Sequence, residues 1–151
     1  MGRTKEIIKK VSWEIIKLII PAFIGFFSAY TIFSKQYDII ESNRLNDNLN
    51  KILDINLQYP FVDDSSFIAR WNKNKNSISD SSYRYQTYCE YVFNYLQDVC
   101  EYYKYEKDKI RKFVDIRDLI LLHKGWWSLP EQNESETYPK KFKEFINGCF
   151  K

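Results

Sequence analysis

The chain has 151 residues, with 23 Lys plus Arg against 20 Asp plus Glu and a formal net charge of +3 at pH 7. That length suits one domain rather than two, and so balanced a charge does not mark a nucleic-acid binder. With 4 Gly, 4 Pro and 18% aromatic residues, the chain is neither disordered nor collagen-like.

In chain order, the first pattern covers residues 5–20. Ile7, Ile8, Val11, Ile15, Leu18 and Ile19 recur at helical spacing, with Lys9, Lys10, Glu14 and Lys17 opposite. This is a Lys-rich amphipathic helix suited to an anionic leaflet. An uncharged stretch overlaps it. It opens on Leu18, Ile19, Ile20, Pro21, Ala22 and Phe23, continues through Ile24, Gly25, Phe26, Phe27, Ser28 and Ala29, and closes on Tyr30, Thr31, Ile32 and Phe33. Extended back to Ile15, it measures roughly 28 Å at 1.5 Å per residue, close to a bilayer core of about 30 Å. Lys17 can snorkel to the headgroups, and Trp13 and Tyr37 flank the stretch as interface residues do. These features predict a single-pass membrane helix, either one long helix that bends at Pro21 or a surface helix followed by a spanning one, the continuous helix being favoured.

The basic start resembles a signal peptide. However, no small-residue cleavage site precedes a polar stretch, so a retained anchor is expected. Residues 1–17 carry five Lys or Arg and residues 34–54 carry three, which favours a cytoplasmic N-terminus. The odd number of Cys, the fifteen Lys and Arg of the body and the lack of a disulfide framework favour the reverse, so the side faced by the body stays open.

Past the anchor, Leu45, Leu49, Ile52, Leu53 and Leu57 continue at three- and four-residue steps, and no Gly or Pro intervenes between Ser28 and Tyr59. The helix is expected to end near Gln58, ahead of Pro60. Its narrow apolar stripe requires a partner, either the body or a second copy. The organisation expected is an anchor at 1–36, a helical stalk at 37–58 and a small aromatic-rich helical bundle at 59–151, all-α throughout.

Within the body, Asp63, Asp64 or Ser65 is expected to cap a short helix carrying Phe67, Ile68 and Trp71. Residues 72–82 read as a loop, with Lys73 and Lys75 solvated. A helix is expected over 83–105, where Tyr85, Tyr88, Cys89, Val92, Phe93, Leu96, Val99, Cys100 and Tyr103 share one face. Cys89 and Cys100 are too far apart along that face to bridge and read as small core residues. Tyr91, Tyr95, Tyr102 and Tyr105 fall on the outer face and form a candidate partner surface. Asp115 is expected to cap a helix over 116–122, with His123 in its last turn as a cation suited to the dipole and Gly125 as its C′ stop. Trp126 to Pro130 reads as an aromatic corner, residues 131–137 as an acidic loop and residues 138–150 as a last helix. Phe93, Leu96, Trp126, Trp127, Phe142 and Phe145 are expected in one core.

Little in the chain points to catalysis. There is one His and no C-x-x-C, phosphate-cradling or nucleophile-elbow motif. Asp63/Asp64 and Asp115/Asp118 suit capping better than acid–base work. No metal and no cofactor is expected.

Gln58-Tyr59-Pro60-Phe61 after the anchor, the Tyr-rich run YCEYVFNYLQDV and the closing YPKKFKEFI together resemble the small single-pass helical proteins of bacteria. Those proteins carry a "YPELRPYF"-type motif after their anchor, and similar ones occur in mobile elements and phage-defence neighbourhoods. The resemblance implies a helical body held at a membrane and supplies no catalytic residues. The expected function is a membrane-anchored, non-enzymatic interaction protein. Its expected partners are the lipid bilayer and either another protein or a second copy, with no nucleic acid. The alternative is a membrane-acting effector of a defence or toxin-like system, for which Gly25 and Ala29 supply a small-xxx-small pair.

Overall fold

The computed structural model describes residues 2–75, 79–133 and 136–149, with side chains from Lys17 onward except those of Leu18 and Asn133. Every regular element among them is helical. The chain divides into two compact units, one through Asn43 and one from Arg44 onward.

Helix α1 (Gly2–Gln58) runs unbroken through Pro21, which decides for the continuous helix of the two alternatives. It ends where Pro60 forces it to. Tyr59 donates the last helical bond to the Ile55 carbonyl (2.8 Å), then leaves the helical region at φ −131°, ψ 69°. A 3₁₀ turn at Pro60–Asp63 follows, then α2 (Ser65–Lys73). Of the three possible caps, Asp64 takes the role, accepting from the Phe67 N–H at 2.6 Å.

Helix α3 (Asp80–Tyr102) is capped by the Ser79 hydroxyl, so it starts and stops ahead of the expected 83–105. Its end is a Schellman turn. Tyr105 N–H donates to the Cys100 carbonyl (2.7 Å) and Lys104 N–H to that of Glu101 (3.0 Å). Lys104 and Tyr105 therefore sit at φ 53° and 63°, positions usually given to Gly. Short helices complete the body: α4 (Lys107–Phe113), α5 (Ile116–Leu122), α6 (Lys124–Trp127), α7 (Pro130–Asn133) and α8 (Lys140–Gly148).

The expected loop at 72–82 is shorter than predicted, because α2 runs to Lys73 and α3 starts at Asp80. Residues 76–78 lie outside the described set. Lys75 is not solvated. It is half-buried and donates to the Gly125 carbonyl at 2.9 Å. The acidic segment begins as a helical turn, α7, with residues 134–135 outside the described set. The last helix is shorter than 138–150, since it starts after Pro139 and Phe150 is outside the described residues.

Gly125 does not act as a C′ stop. It lies inside α6, and none of the described glycines has positive φ. A Cβ there would fall 1.7 Å from Asn72 Oδ1, so the bare Gly125 backbone admits the Asn72 side chain.

One aromatic core holds the second unit together. Phe93 stacks on Trp126 and Trp127, with centroids 5.2 and 4.8 Å away, and Trp127 meets the Phe142 edge at 5.7 Å. Leu96 belongs to the same cluster, and Phe145 packs against it partly buried, so all six expected core residues converge. Trp71 Nε1 donates to the buried Ser82 hydroxyl and Trp127 Nε1 to Asn147 Oδ1, each at 2.9 Å, which satisfies both indoles.

The stretch read as a stalk is shared between the units, and residues 44–58 belong with the body. Leu45 and Ile52 are buried in its core, with Leu49 and Ile55 packed against it. The body therefore covers part of the expected apolar stripe, while Leu53 and Leu57 stay exposed. Arg44 NH1 adds a 2.9 Å bond to Asp98 Oδ2 on α3.

Candidate functional site

Two surfaces and one buried centre carry unusual chemistry. The first surface is on α1. Every described side chain from Ile19 to Phe33 is exposed, including Phe26 at 73% and Ile24 at 62%. Ile19, Phe23, Ile24 and Phe27 span an arc of about 140° at 100° per residue, and Ile32 and Phe33, also exposed, fall on the remaining sides, so the helix is apolar all round. Its polar groups are few, and Thr31 donates back to the Phe27 carbonyl at 2.8 Å. Among the described residues no helix is long and apolar enough to cross a membrane. The Leu18 side chain, the amphipathic pattern upstream and Trp13 lie outside the described side chains.

The second surface is the tyrosine face, and it differs from expectation. Tyr91 is exposed, but Tyr95 is buried at 2% and Tyr102 and Tyr105 are half-buried. The buried arc of α3 is wide, running from Tyr95 through Tyr88, Val92 and Cys89 to Phe93. At 100° per residue it spans roughly 160°, which takes in Tyr95 at its edge. Tyr102 meets Tyr103, and Tyr105 meets Phe145 at 5.8 Å while the Lys141 ammonium sits 4.3 Å over its ring.

Tyr91 instead belongs to a groove of about 290 Å³ lined by Ile55, Tyr59, Asp80, Tyr83, Arg84, Thr87 and Tyr88. Arg84 NH1 donates to the Tyr59 hydroxyl at 2.7 Å and pairs with Asp80. Sequence reasoning missed Tyr83 and Arg84, although Tyr83, Thr87 and Tyr91 recur at i, i+4, i+8 on one face. Tyr59, the residue that follows α1, lines this groove as well.

The buried centre surrounds His123, which lies at the end of α5 as expected but faces the interior instead of solvent. It is 0% exposed, with Nδ1 3.1 Å from the Tyr85 hydroxyl and 3.7 Å from Cys89 Sγ, and Nε2 3.5 Å from Asp63 Oδ1. Asp63 is thus not a cap. It accepts from Asn56 at 3.1 Å, and His123 holds its carboxyl below the usual range against the opposing effect of partial burial. Asp115 occupies the N-cap position of α5 but its side chain makes no capping bond.

His and Cys meet here, yet neither reaches solvent, and burial pushes the Cys89 thiol up, away from the thiolate a nucleophile needs. Cys100 is likewise buried and free, pushed up to about 12 by burial. Among the described residues no three metal-ligating side chains converge. No protein family, curated protein or solved structure matches the chain.

Proposed function

We propose that the protein is a single-pass membrane-anchored interaction protein, non-enzymatic, whose helical body presents the groove beside Tyr91 to a protein partner. The observation that carries the anchor is the unbroken exposure of Ile19–Phe33 on all sides of α1. Soluble proteins rarely expose so large an apolar surface, and a helix apolar all round needs either a protein core or lipid around it. The Thr31 bond back to the backbone fits a hydrocarbon setting, where an unsatisfied hydroxyl is costly. The groove supports the partner reading, because it combines exposed Tyr83 and Tyr91 with a fixed Arg84, residue types enriched at interfaces.

Alkaline carbonate extraction of membranes carrying the full-length chain tests the anchor. The chain stays in the pellet if the reading holds, and its release to the supernatant overturns it. A photo-crosslinking side chain at position 91 tests the body and should yield a discrete adduct. Growth arrest with loss of membrane potential, dependent on residues 18–33, would favour an effector instead.

A further inference from the structure

The body contains a second concavity, distinct from the tyrosine groove. It is a cleft of about 550 Å³ where α4, the first turn of α5 and the end of α8 meet. Lys107 and Arg111 reach it from one face of α4, and Arg117 reaches it from α5. Among the described residues Asp115 is the only carboxylate lining it, which leaves an excess of two positive charges. The wall opposite is apolar, made by Ile116, Phe145 and Cys149.

These three cations line one cleft without a paired carboxylate among the described residues. Among the described residues Lys107, Arg111 and Arg117 form no ion pair and no side-chain hydrogen bond. Elsewhere on the body Arg44, Arg84, Lys109 and Lys140 each face a carboxylate. Like charges at i, i+4 on a helix are destabilising, so Lys107 and Arg111 oppose folding unless an anion lies between them. The fields of all three cations converge on Cys149, whose thiol each of them pulls down while burial pushes it up.

We propose that this cleft binds a phosphomonoester, with its phosphoryl oxygens on Arg111, Arg117 and Lys107 and its carbon portion against Phe145. A phosphomonoester carries about −1.5 to −2 charge at pH 7, which matches the excess of two. Guanidinium groups bind phosphoryl oxygens in bidentate fashion, and the apolar wall suits an organic substituent better than a bare ion. The phosphoryl group can belong to a soluble metabolite or to a lipid headgroup, since the chemistry recognised is the same. The inference does not depend on the tyrosine groove.

The test uses the full-length chain in phosphatidylcholine vesicles and phenyl phosphate as probe. Cys149 is half-buried in the cleft whereas Cys89 and Cys100 are fully buried, so a maleimide reads Cys149 and the other two report that the fold is intact. With phenyl phosphate at about ten times its Kd, Cys149 labelling should slow about tenfold. The ³¹P line of phenyl phosphate should broaden in parallel. Arg111→Gln and Arg117→Gln should each weaken binding about tenfold or more, the cost of one charge-assisted hydrogen bond. Protection by phosphatidic acid in the vesicles, without protection by phenyl phosphate, upholds the site and assigns the phosphoryl group to lipid. The proposal is overturned if neither probe slows labelling or broadens the line, if phenol or benzoate does as well, or if the double variant binds unchanged.

Discussion

His123 and Asp63 face each other across 3.5 Å, one fully buried and the other about one-third exposed. Nδ1 lies 3.1 Å from the Tyr85 hydroxyl, and Nε2 is the ring nitrogen that faces the carboxylate. The contact joins the 3₁₀ turn after α1 to the end of α5, and Asn56 extends it back into α1. His123, the only histidine of the chain, thus sits at a junction of helices far apart in sequence.

Acid should loosen this junction. The Asp63 pKa is lower in the folded chain than its ordinary value of 3.8. The contribution is therefore complete above that value and is lost as pH falls through the folded pKa. Asp63→Asn should destabilise the protein at pH 7 and flatten the fall in stability below about pH 4. Urea melts at pH 7 and pH 3 check this, and parallel pH profiles for both proteins would refute it.

Phe93 lies against both Trp126 and Trp127. Its removal leaves a cavity between α3 and α6 that rigid indoles cannot fill. Phe93→Ala should cost about 3–5 kcal/mol, a large share of the roughly 5–15 kcal/mol available to a domain. Urea unfolding followed by Trp fluorescence measures it, and a change under about 0.5 kcal/mol would mean the stack is not structural.

Gly125 and Asn72 should be coupled. The three atoms nearest a methyl at position 125 all belong to the amide of the exposed Asn72 side chain, which can swing into solvent. In the Asn72→Ala background, adding Gly125→Ala should stabilise by about 0.4–1 kcal/mol, because it restricts the unfolded chain at a helical position. In the wild-type background the gain should be smaller. Equal effects in both backgrounds would show that the close approach has no energetic consequence.

Much of the fold was legible where one residue type has one local consequence. Pro60 ends α1, and the aromatic stripes of α3 and α8 identify the core before any packing is seen. The misreadings arise where tertiary contacts decide. Tyr95 lies at the edge of the α3 stripe, and only the width of the packed arc makes it core. Asp63 has the composition of a cap, but its partner His123 is brought close by folding. Gly125 has the right position for a stop signal, yet its role is to admit Asn72. The basic cleft joins α4, α5 and α8 and has no local motif at all. The end of α3 was illegible for a different reason: no Gly marks it.

That last position gives a direct test. Lys104 holds the C′ site of a Schellman turn at φ 53°, where a Cβ is unfavourable, and its side chain is exposed. Lys104→Gly should stabilise by up to about 1 kcal/mol. Tyr105→Gly should instead destabilise, since that ring packs on Phe145 and carries Lys141. Opposite signs for neighbouring residues with similar backbone angles would separate strain from packing. Thermal melts of the two variants read the signs, and a loss at both positions would mean that Lys104 is unstrained.

The apolar surface of α1 should respond to charge according to depth. Ile24 and Phe27 lie near the middle of the uncharged stretch, and both are exposed in the helix. A Lys at the centre of a membrane helix costs about 2.5–3.5 kcal/mol, and near the ends much less because the chain snorkels to the headgroups. Ile24→Lys/Phe27→Lys should therefore move the full-length chain from the carbonate-resistant pellet to the supernatant. The same pair of charges at Ser34 and Gln36, just past the stretch, should leave it in the pellet. If the segment merely lies along the bilayer surface, the outcome depends on which face is charged, not on depth. Ile24 and Phe27 lie about 60° apart on the helix, as one face of such a surface helix would have them. Phe26→Lys/Ala29→Lys, which charges a different face at the same depth, distinguishes the two cases. Loss from the pellet for both central pairs supports a span. Retention of either pair would mean that α1 rests on the membrane without crossing it.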